Sequence, residues 1–350
     1  MWEREWNGMP YLADPQSRSD SETRGAKVAL PGSERWLLCS GTIPSVELPG
    51  EGAAWTAGAA CDAARAIDAA CSKLGYFFLR NHGIPADTIV SAIEEAREFY
   101  ARPLPEKASY RSSAKSQFLG YRCLGAERSL SHSGAEACEQ YRIGNVFSAG
   151  SGLRAVDRDF FHRPFQKSIV FFADMTRVGD RLMAAGAVGL KQEPNFFDRF
   201  FDAPMHRLGL NFYETGAGAK IGNTVSYAMS SHLDHAVFTI VVQNEPGLEV
   251  LSPDGDWVDV PIIPDALFVF LGDYFQRWTN GRFRAALHRV REIRKDRISI
   301  QYKHKPSHTT IVEPLAPFVS ESHPARYEPF HTGHQYEQLL TALLTERHAG

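Results

Sequence analysis

His232-Leu233-Asp234, followed by His288 and then by Arg297-Ile298-Ser299, is the stretch that decides how this chain is read. On a strand, side chains at i and i+2 share a face. His232 and Asp234 can therefore reach one metal ion from one strand, while Leu233 points the other way. His288 would complete the set from a second strand. Two imidazoles and one carboxylate form a facial ligand set suited to Fe(II), and they leave coordination positions open for other molecules, dioxygen among them. Arg297 and Ser299 repeat the i, i+2 spacing. They put a guanidinium and a hydroxyl side by side, ready for a carboxylate.

The neighbouring sequence supports a barrel around these residues. Asp234 to His288 leaves room for several strands, as a third ligand from across a barrel requires. Asn280-Gly281 is a hairpin signal and predicts that Phe283 through Val290 returns as a strand carrying His288. In Leu210-Asn211-Phe212-Tyr213, polar and apolar residues alternate, so Asn211 and Tyr213 share a face, the inner one. Charge favours a dicarboxylate oxo-acid as cosubstrate. Fe(II) and Arg297 on one side then balance Asp234 and 2-oxoglutarate on the other, whereas Arg297 buried alone would be costly.

Composition sets milder bounds. The chain has 350 residues, 43% of them hydrophobic and 23% charged, which is ordinary for a globular protein with a sizeable core. A net charge of −3 gives no electrostatic reason to expect a nucleic acid or an anionic membrane as partner. No stretch approaches the roughly 20 apolar residues of a spanning helix. The start, Met1-Trp2-Glu3-Arg4-Glu5-Trp6, lacks the basic and apolar regions of a secretory signal. Cys39, Cys61, Cys71, Cys123 and Cys138 are scattered and form no CxxC, which predicts reduced thiols in a cytoplasmic protein. Nothing here specifies an oligomeric state.

Four regions follow in order. Residues 1–42 form a partly irregular extension in which Trp2, Trp6 and Trp36 pack on the body. Residues 43–205 read as mainly helical: a short edge strand at Ile43–Leu48, a helix from Ala59 to Leu74 stopped by Gly75, a buried strand at Tyr76–Leu79, a helix from Ala86 to Tyr100 and a long helix from Pro164 to Gly189. On the long helix, Ile169, Val170, Phe172, Met175, Val178 and Leu182 make the expected apolar face. Residues 206–314 hold short strands separated by turns, which predicts a sandwich, jelly roll or barrel. Residues 315–350 return to loop and helix, with a terminal helix at His334–Arg347.

From Ile43 to Pro306 the chain resembles the isopenicillin N synthase-like 2-oxoglutarate/Fe(II)-dependent dioxygenases. The N-terminal match is carried by Ile43-Pro44, Leu74-Gly75-Tyr76-Phe77-Phe78, Asn81-His82-Gly83-Ile84-Pro85 and Phe99-Tyr100 through Lys107. The C-terminal match is carried by Leu248-Glu249-Val250, Trp257, Val260-Pro261, Gly272-Asp273, Trp278-Thr279-Asn280-Gly281, His288-Arg289-Val290 and Arg297-Ile298-Ser299. The resemblance implies a mixed α and β fold with a double-stranded β-helix (jelly-roll) core wrapped by helices. It implies Fe(II) on His232, Asp234 and His288, with 2-oxoglutarate and O2 as cosubstrates. The distal carboxylate of 2-oxoglutarate would lie on Arg297 and Ser299, assisted by Asn211 and Tyr213. The substrate would be a small organic molecule of specialised metabolism, hydroxylated, desaturated or cyclised with release of succinate and carbon dioxide. His82 would be structural. By the same resemblance Tyr121 and Arg122 lie in a loop at the barrel mouth, where an arginine suits a substrate carboxylate or phosphate. Strand parity turns Gln301 inward with Ser299 and Tyr302 outward against a helix.

The chain departs from the family pattern at Glu214, where proline is usual, at His235, and at Gln301, Tyr302 and Lys303, where small and aromatic residues are usual. Two other readings stand beside the main one: an iron- and O2-dependent oxidative cyclase that does without 2-oxoglutarate, since that family member also carries Arg-x-Ser, and a non-catalytic small-molecule binding protein on the same barrel. Thr215-Gly216-Ala217-Gly218-Ala219-Lys220 has neither P-loop nor dinucleotide-fingerprint spacing and reads as a loop. His304, His308, His323, His331, His334 and His348 show no ligand spacing and read as surface or tail.

Overall fold

The structure is a computed structural model that describes residues 43–53, 55, 58–113, 116–127, 136–145, 158–218 and 227–344. The extension at 1–42 and the tail histidine His348 lie outside the described residues.

The elements run β1 (Ser45–Glu47), α1 (Gly58–Lys73), β2 (Tyr76–Arg80), α2 (Ala86–Tyr100), α3 (Leu104–Ala108), β3 (Gly120–Arg122), β4 (Glu139–Gly144), α4 (Arg158–His162) and α5 (Gln166–Gly189). There follow β5 (Arg207–Tyr213), β6 (Met229–His232), β7 (Phe238–Gln243), β8 (Leu248–Leu251), β9 (Trp257–Asp259), β10 (Ala266–Leu271), α6 (Asp273–Trp278), β11 (His288–Val290), β12 (Arg297–His304), β13 (Ile311–Val312), β14 (Phe330–His331) and α7 (Thr332–Leu344).

An eight-stranded sheet, ordered β1-β2-β10-β7-β12-β5-β4-β3, faces a four-stranded one, ordered β6-β11-β8-β9. Tyr76, Phe78, Val241, Val250, Phe268 and Phe270 fill the space between them at one end. The outer face of the large sheet packs on α1, α2 and α5 through Phe77, Leu79, Ile240, Ile298, Ile300, Tyr302, Phe171 and Met175. Each side chain of this size contributes about 1.5–3 kcal/mol when fully buried. The fold is thus a jelly-roll core under a helical cover. Four strands of the large sheet, β1 to β4, come from the region read as mainly helical, so the two regions share one sheet.

Local chemistry explains most boundaries. α1 stops because Gly75 takes φ +84° and returns its N–H to the Ala70 carbonyl; a Cβ there would run into the Arg284 carbonyl oxygen. On α5 the apolar face runs through Phe171 rather than Val170, which is 57% exposed. Asn280-Gly281 is not a hairpin. Both residues have positive φ and close α6, with the Gly281 N–H on the Gln276 carbonyl. Left-handed Asn-Gly caps a helix as readily as it turns a hairpin, and the strand that follows is only His288–Val290. Tyr121 and Arg122 lie on a strand, β3, rather than a loop. Among the described residues, no helix is long and apolar enough to cross a membrane.

Candidate active site

His232 is the last residue of β6 and pairs across to His288 on β11. Asp234 is past the strand end, in the bend before β7, so the expected single-strand parity does not hold for it. The bend is set by backbone bonds: the Asp273 N–H reaches the Asp234 carbonyl, and the Gly272 N–H reaches Val237. It still brings the carboxylate into place. One donor atom from each of His232, Asp234 and His288 lies within 4.8 Å of the others. The two Nε2 atoms sit 3.7 Å and 3.9 Å from the same oxygen, Asp234 Oδ1.

Hydrogen bonds decide what these rings can do. His232 Nδ1 is 2.8 Å from the Ser230 carbonyl oxygen, and His288 Nδ1 is 3.1 Å from that of Ala286. A carbonyl only accepts, so both protons sit on Nδ1 and both Nε2 atoms offer lone pairs. Burial pushes the His288 imidazole down to about 3, so it is neutral, the form that binds a metal. Asp234 Oδ2 accepts from Thr239 Oγ1 at 2.5 Å, which leaves Oδ1 facing the histidines. Burial alone would raise the Asp234 carboxyl, but the Lys303 ammonium outweighs it and holds it well below the usual carboxylate range.

Lys303 is the residue that sequence reasoning noted without giving a role. Arg297, Ser299, Gln301 and Lys303 alternate along β12 and share its inner face, opposite Tyr213, Asn211, Gly209 and Arg207 of β5. Lys303 Nζ donates to Asp234 Oδ1 at 2.5 Å. The inward parity already used for Gln301 extends to it.

Arg297 is buried, with no acidic partner among the described residues. Its Nε donates to the Glu245 carbonyl at 3.1 Å and its Nη2 to Gln243 Oε1 at 2.7 Å. Its guanidinium stacks 4.9 Å from the centre of the Tyr213 ring. Nη1 is buried with no partner among the described residues. A buried donor left unmet costs about 1–3 kcal/mol, so this atom calls for a ligand acceptor. Ser299, also buried, is the next inward residue, and Asn211 Nδ2 donates to Tyr213 Oη at 3.2 Å beside it.

Arg122 reaches the same interior from β3, where it faces Gln140 of β4. Tyr121 does not. Strand alternation turns it outward, where its hydroxyl bonds Glu139 and its ring meets Phe99 of α2. Tyr302 is outward too, against Phe172 of α5. Gln301 is half-buried on the inner face, its Nε2 3.5 Å from Ser299 Oγ. His82 accepts the Ile84 N–H through Nδ1, a turn-forming role.

A second trio, Asp180, His206 and His304, also brings donor atoms within 4.8 Å. His206 Nδ1 accepts the Lys305 N–H at 3.1 Å, so its proton is on Nε2 and that nitrogen donates rather than ligates. His304, expected at the surface, is fully buried because the outer face of β12 lies under α5; its ring stacks 4.7 Å from Phe238. The two histidines are packed core, and Asp180 is exposed at their edge.

Comparisons with known proteins agree with the geometry. Residues 206–306 match the 2OG-Fe(II) oxygenase superfamily, and residues 43–165 match the non-haem dioxygenase N-terminal family described from morphine synthesis. The chain is 28% identical over 268 residues to the rice (Oryza sativa subsp. japonica) protein named 2-oxoglutarate-dependent dioxygenase 21, chloroplastic, covering 76% of this chain and 77% of that one. It is 26% identical over 282 residues to the clavatol oxidase of Penicillium crustosum, covering 73% and 83%. The fold matches that of a full-length Neurospora crassa protein solved in complex with α-ketoglutarate and thymine, with a TM-score of 0.74 at 22% identity over 88% of this chain and 100% of that one.

Proposed function

We infer the function from one premise: the chain belongs to the 2-oxoglutarate/Fe(II)-dependent oxygenase superfamily. It is an oxidoreductase, a dioxygenase that uses Fe(II), 2-oxoglutarate and O2 and acts on a small organic molecule. We propose that His232 Nε2, His288 Nε2 and Asp234 Oδ1 hold the iron. The observation that carries this is the convergence of two imidazoles, each with its proton committed to a carbonyl, on one carboxylate oxygen.

When bound, the iron supplies oxygen activation coupled to decarboxylation of 2-oxoglutarate. The protein supplies the rest. Thr239 fixes the orientation of Asp234. Arg297 Nη1 and Ser299 take the distal carboxylate of 2-oxoglutarate, and Gln243 with the Glu245 carbonyl hold the guanidinium in place for it. Asn211 and Tyr213 line the cosubstrate on the adjoining strand. Arg122 and Gln301 face the substrate side. The unmet Nη1 supports an external carboxylate, and so supports use of 2-oxoglutarate at these residues. A specialised metabolite as substrate is supported by relatives such as the clavatol oxidase. A cytoplasmic, reducing setting is supported by Cys61, Cys71, Cys123 and Cys138, all free thiols.

The test is succinate release by protein reconstituted with Fe(II), 2-oxoglutarate and air, alone and with a panel of metabolites. Slow succinate release alone, raised by the right substrate and abolished in His232→Ala, is the expected result. No consumption of 2-oxoglutarate under any of these conditions would overturn the reading.

A further inference from the structure

Among the described residues, the inner face beside the iron-binding trio holds more positive than negative charge. Arg122 comes from β3, Arg142 from β4 and Lys303 from β12. Arg122 Nη1 pairs with Glu127 at 3.1 Å, while its Nε is buried with no partner among the described residues. Among the described residues, Arg142 donates only to neutral acceptors at hydrogen-bond distance, Asn211 Oδ1 at 2.9 Å and Gln140 Oε1 at 2.5 Å; its distance to Glu127 is 4.0 Å. Gly209, facing Arg142 across the ladder, makes room for this guanidinium: a Cβ there would collide with Nη1. Burial alone would raise the Glu127 carboxyl, but Arg122, Arg142 and Lys303 together pull it below the ordinary value. The other acid here, Glu136, is turned to the Ser230 N–H at 2.9 Å. Among the described residues, these three cations thus face two carboxylates. Lys305, one position beyond β12 and bonded to the His235 carbonyl, adds to the positive side.

Lys303 is the pivotal cation, because its only acidic hydrogen-bond partner among the described residues is Asp234. Asp234 Oδ1 cannot serve an ammonium and a divalent ion at full strength together. Once a metal neutralises that oxygen, Lys303 is left half-buried with no acid in hydrogen-bond contact among the described residues, a state that burial penalises. We propose that the substrate carries a carboxylate, and that Lys303 receives it with Arg142 and the free Nε edge of Arg122. This rests on the reading of the iron and 2-oxoglutarate site above. The iron, Asp234, Arg297 and 2-oxoglutarate balance among themselves, so the positive charge of Lys303, Arg142 and Arg122 is left for an anionic group on the substrate. An aromatic residue at 303 would offer a substrate ring a stacking face; lysine offers a charge instead.

The test uses full-length protein loaded with Mn(II) in place of iron and saturated with 2-oxoglutarate, so that no turnover occurs. Matched pairs of small acids and their primary amides (phenylacetate and phenylacetamide, 3-phenylpropionate and its amide, hexanoate and hexanamide) are titrated. Relaxation of ligand protons by the bound Mn(II) reports binding near the metal. Acids should bind at least about tenfold more tightly than their amides in the wild type. Lys303→Gln should remove the preference, and Lys303→Arg should keep it. Arg142→Gln should weaken it, which guards against a misfolded Lys303 variant. A methyl phosphonate analogue binding more tightly than its carboxylate would overturn the choice of carboxylate. Equal binding of acids and amides, a preference intact in both glutamine variants, or no acid bound at concentrations on the order of 10 mM would overturn the inference. Wild-type protein that takes up Mn(II) and 2-oxoglutarate yet shows no acid preference refutes this inference alone. Protein that fails to take up 2-oxoglutarate at all refutes the functional reading beneath it.

Discussion

Arg297→Lys keeps the charge at the proposed cosubstrate anchor and removes its shape. Arg297 makes two bonds that aim it, to Gln243 Oε1 and the Glu245 carbonyl, and presents a third donor, Nη1, inward. A lysine has one nitrogen at the end of a flexible stem and cannot span these positions. If it turns toward 2-oxoglutarate, Gln243 and the Glu245 carbonyl lose their donor, at about 1 kcal/mol each. If it stays with them, the carboxylate loses a charged hydrogen bond worth about 1.5–3 kcal/mol. The stacking on Tyr213, 4.9 Å away, weakens in either case. A total near 3 kcal/mol corresponds to roughly a hundredfold weaker binding of 2-oxoglutarate. The assay is calorimetric titration of 2-oxoglutarate into Mn(II)-loaded protein, beside a metal titration that confirms the trio is undisturbed. A change in affinity below about threefold, with metal binding intact, would refute the role given to the guanidinium fork.

Other substitutions test the remaining parts. His232→Ala should abolish oxidation and weaken metal binding while thermal unfolding stays near wild type, because its side chain is 30% exposed and lies at the end of β6, outside the apolar core; undiminished turnover with iron bound would remove it from the ligand set. Thr239→Val keeps the volume and deletes the bond to Asp234 Oδ2. Mn(II) affinity should fall about 10- to 100-fold, and an unchanged affinity would show that Asp234 is oriented by other means. Lys305 tests the buried charge. Burial first, then Lys303 and Arg207, lower its pKa to about 7 from 10.5. The unfolded chain therefore binds more protons than the native one across that interval, so stability should rise with pH there. Between about pH 7 and pH 9 the gain should be about 2 kcal/mol in urea unfolding, and Lys305→Met should lose that slope; equal slopes in the two proteins would contradict the assignment.

What could be read from the chain in advance followed simple periodicity. The inward set Arg297, Ser299 and Gln301, and the outward Tyr302, needed only the two-residue period of a strand, and the ladder of β12 on β5 matches it. Helices with a clear stop, such as α1 before Gly75, were also legible. Features that depend on partners distant in sequence were not. Asn280-Gly281 has the same backbone preference in a hairpin and in a helix cap, and only the preceding α6 decides between them. Nothing local in Gly120-Tyr121-Arg122 states that Gln140 and Arg142 wait across a ladder, so β3 read as a loop. The tie between Lys303 and Asp234 joins residues brought together by the barrel alone. His304 illustrates the same limit from the outer face, since its burial is set by α5 rather than by its own strand.

The pairing of β2 with β10 sets the order in which this protein can be made. Arg80 aligns with Ala266 and Tyr76 with Phe270, so a strand near the start of the folded body closes on one from the far half of the chain. Until β10 leaves the ribosome, β2 has only β1 beside it, and helices α1 and α2 have little to cover. Long-range closure of this kind slows folding and lengthens exposure of sticky surface. A gene fragment cut at the tempting boundary, residues 206–314, would leave Leu267-Phe268-Val269-Phe270-Leu271 as a bare edge strand and uncover β5 as well. Unprotected apolar edges recruit other edges. Such a fragment should collect in inclusion bodies, and supplying residues 43–205 as a separate chain during expression should draw part of it back into solution.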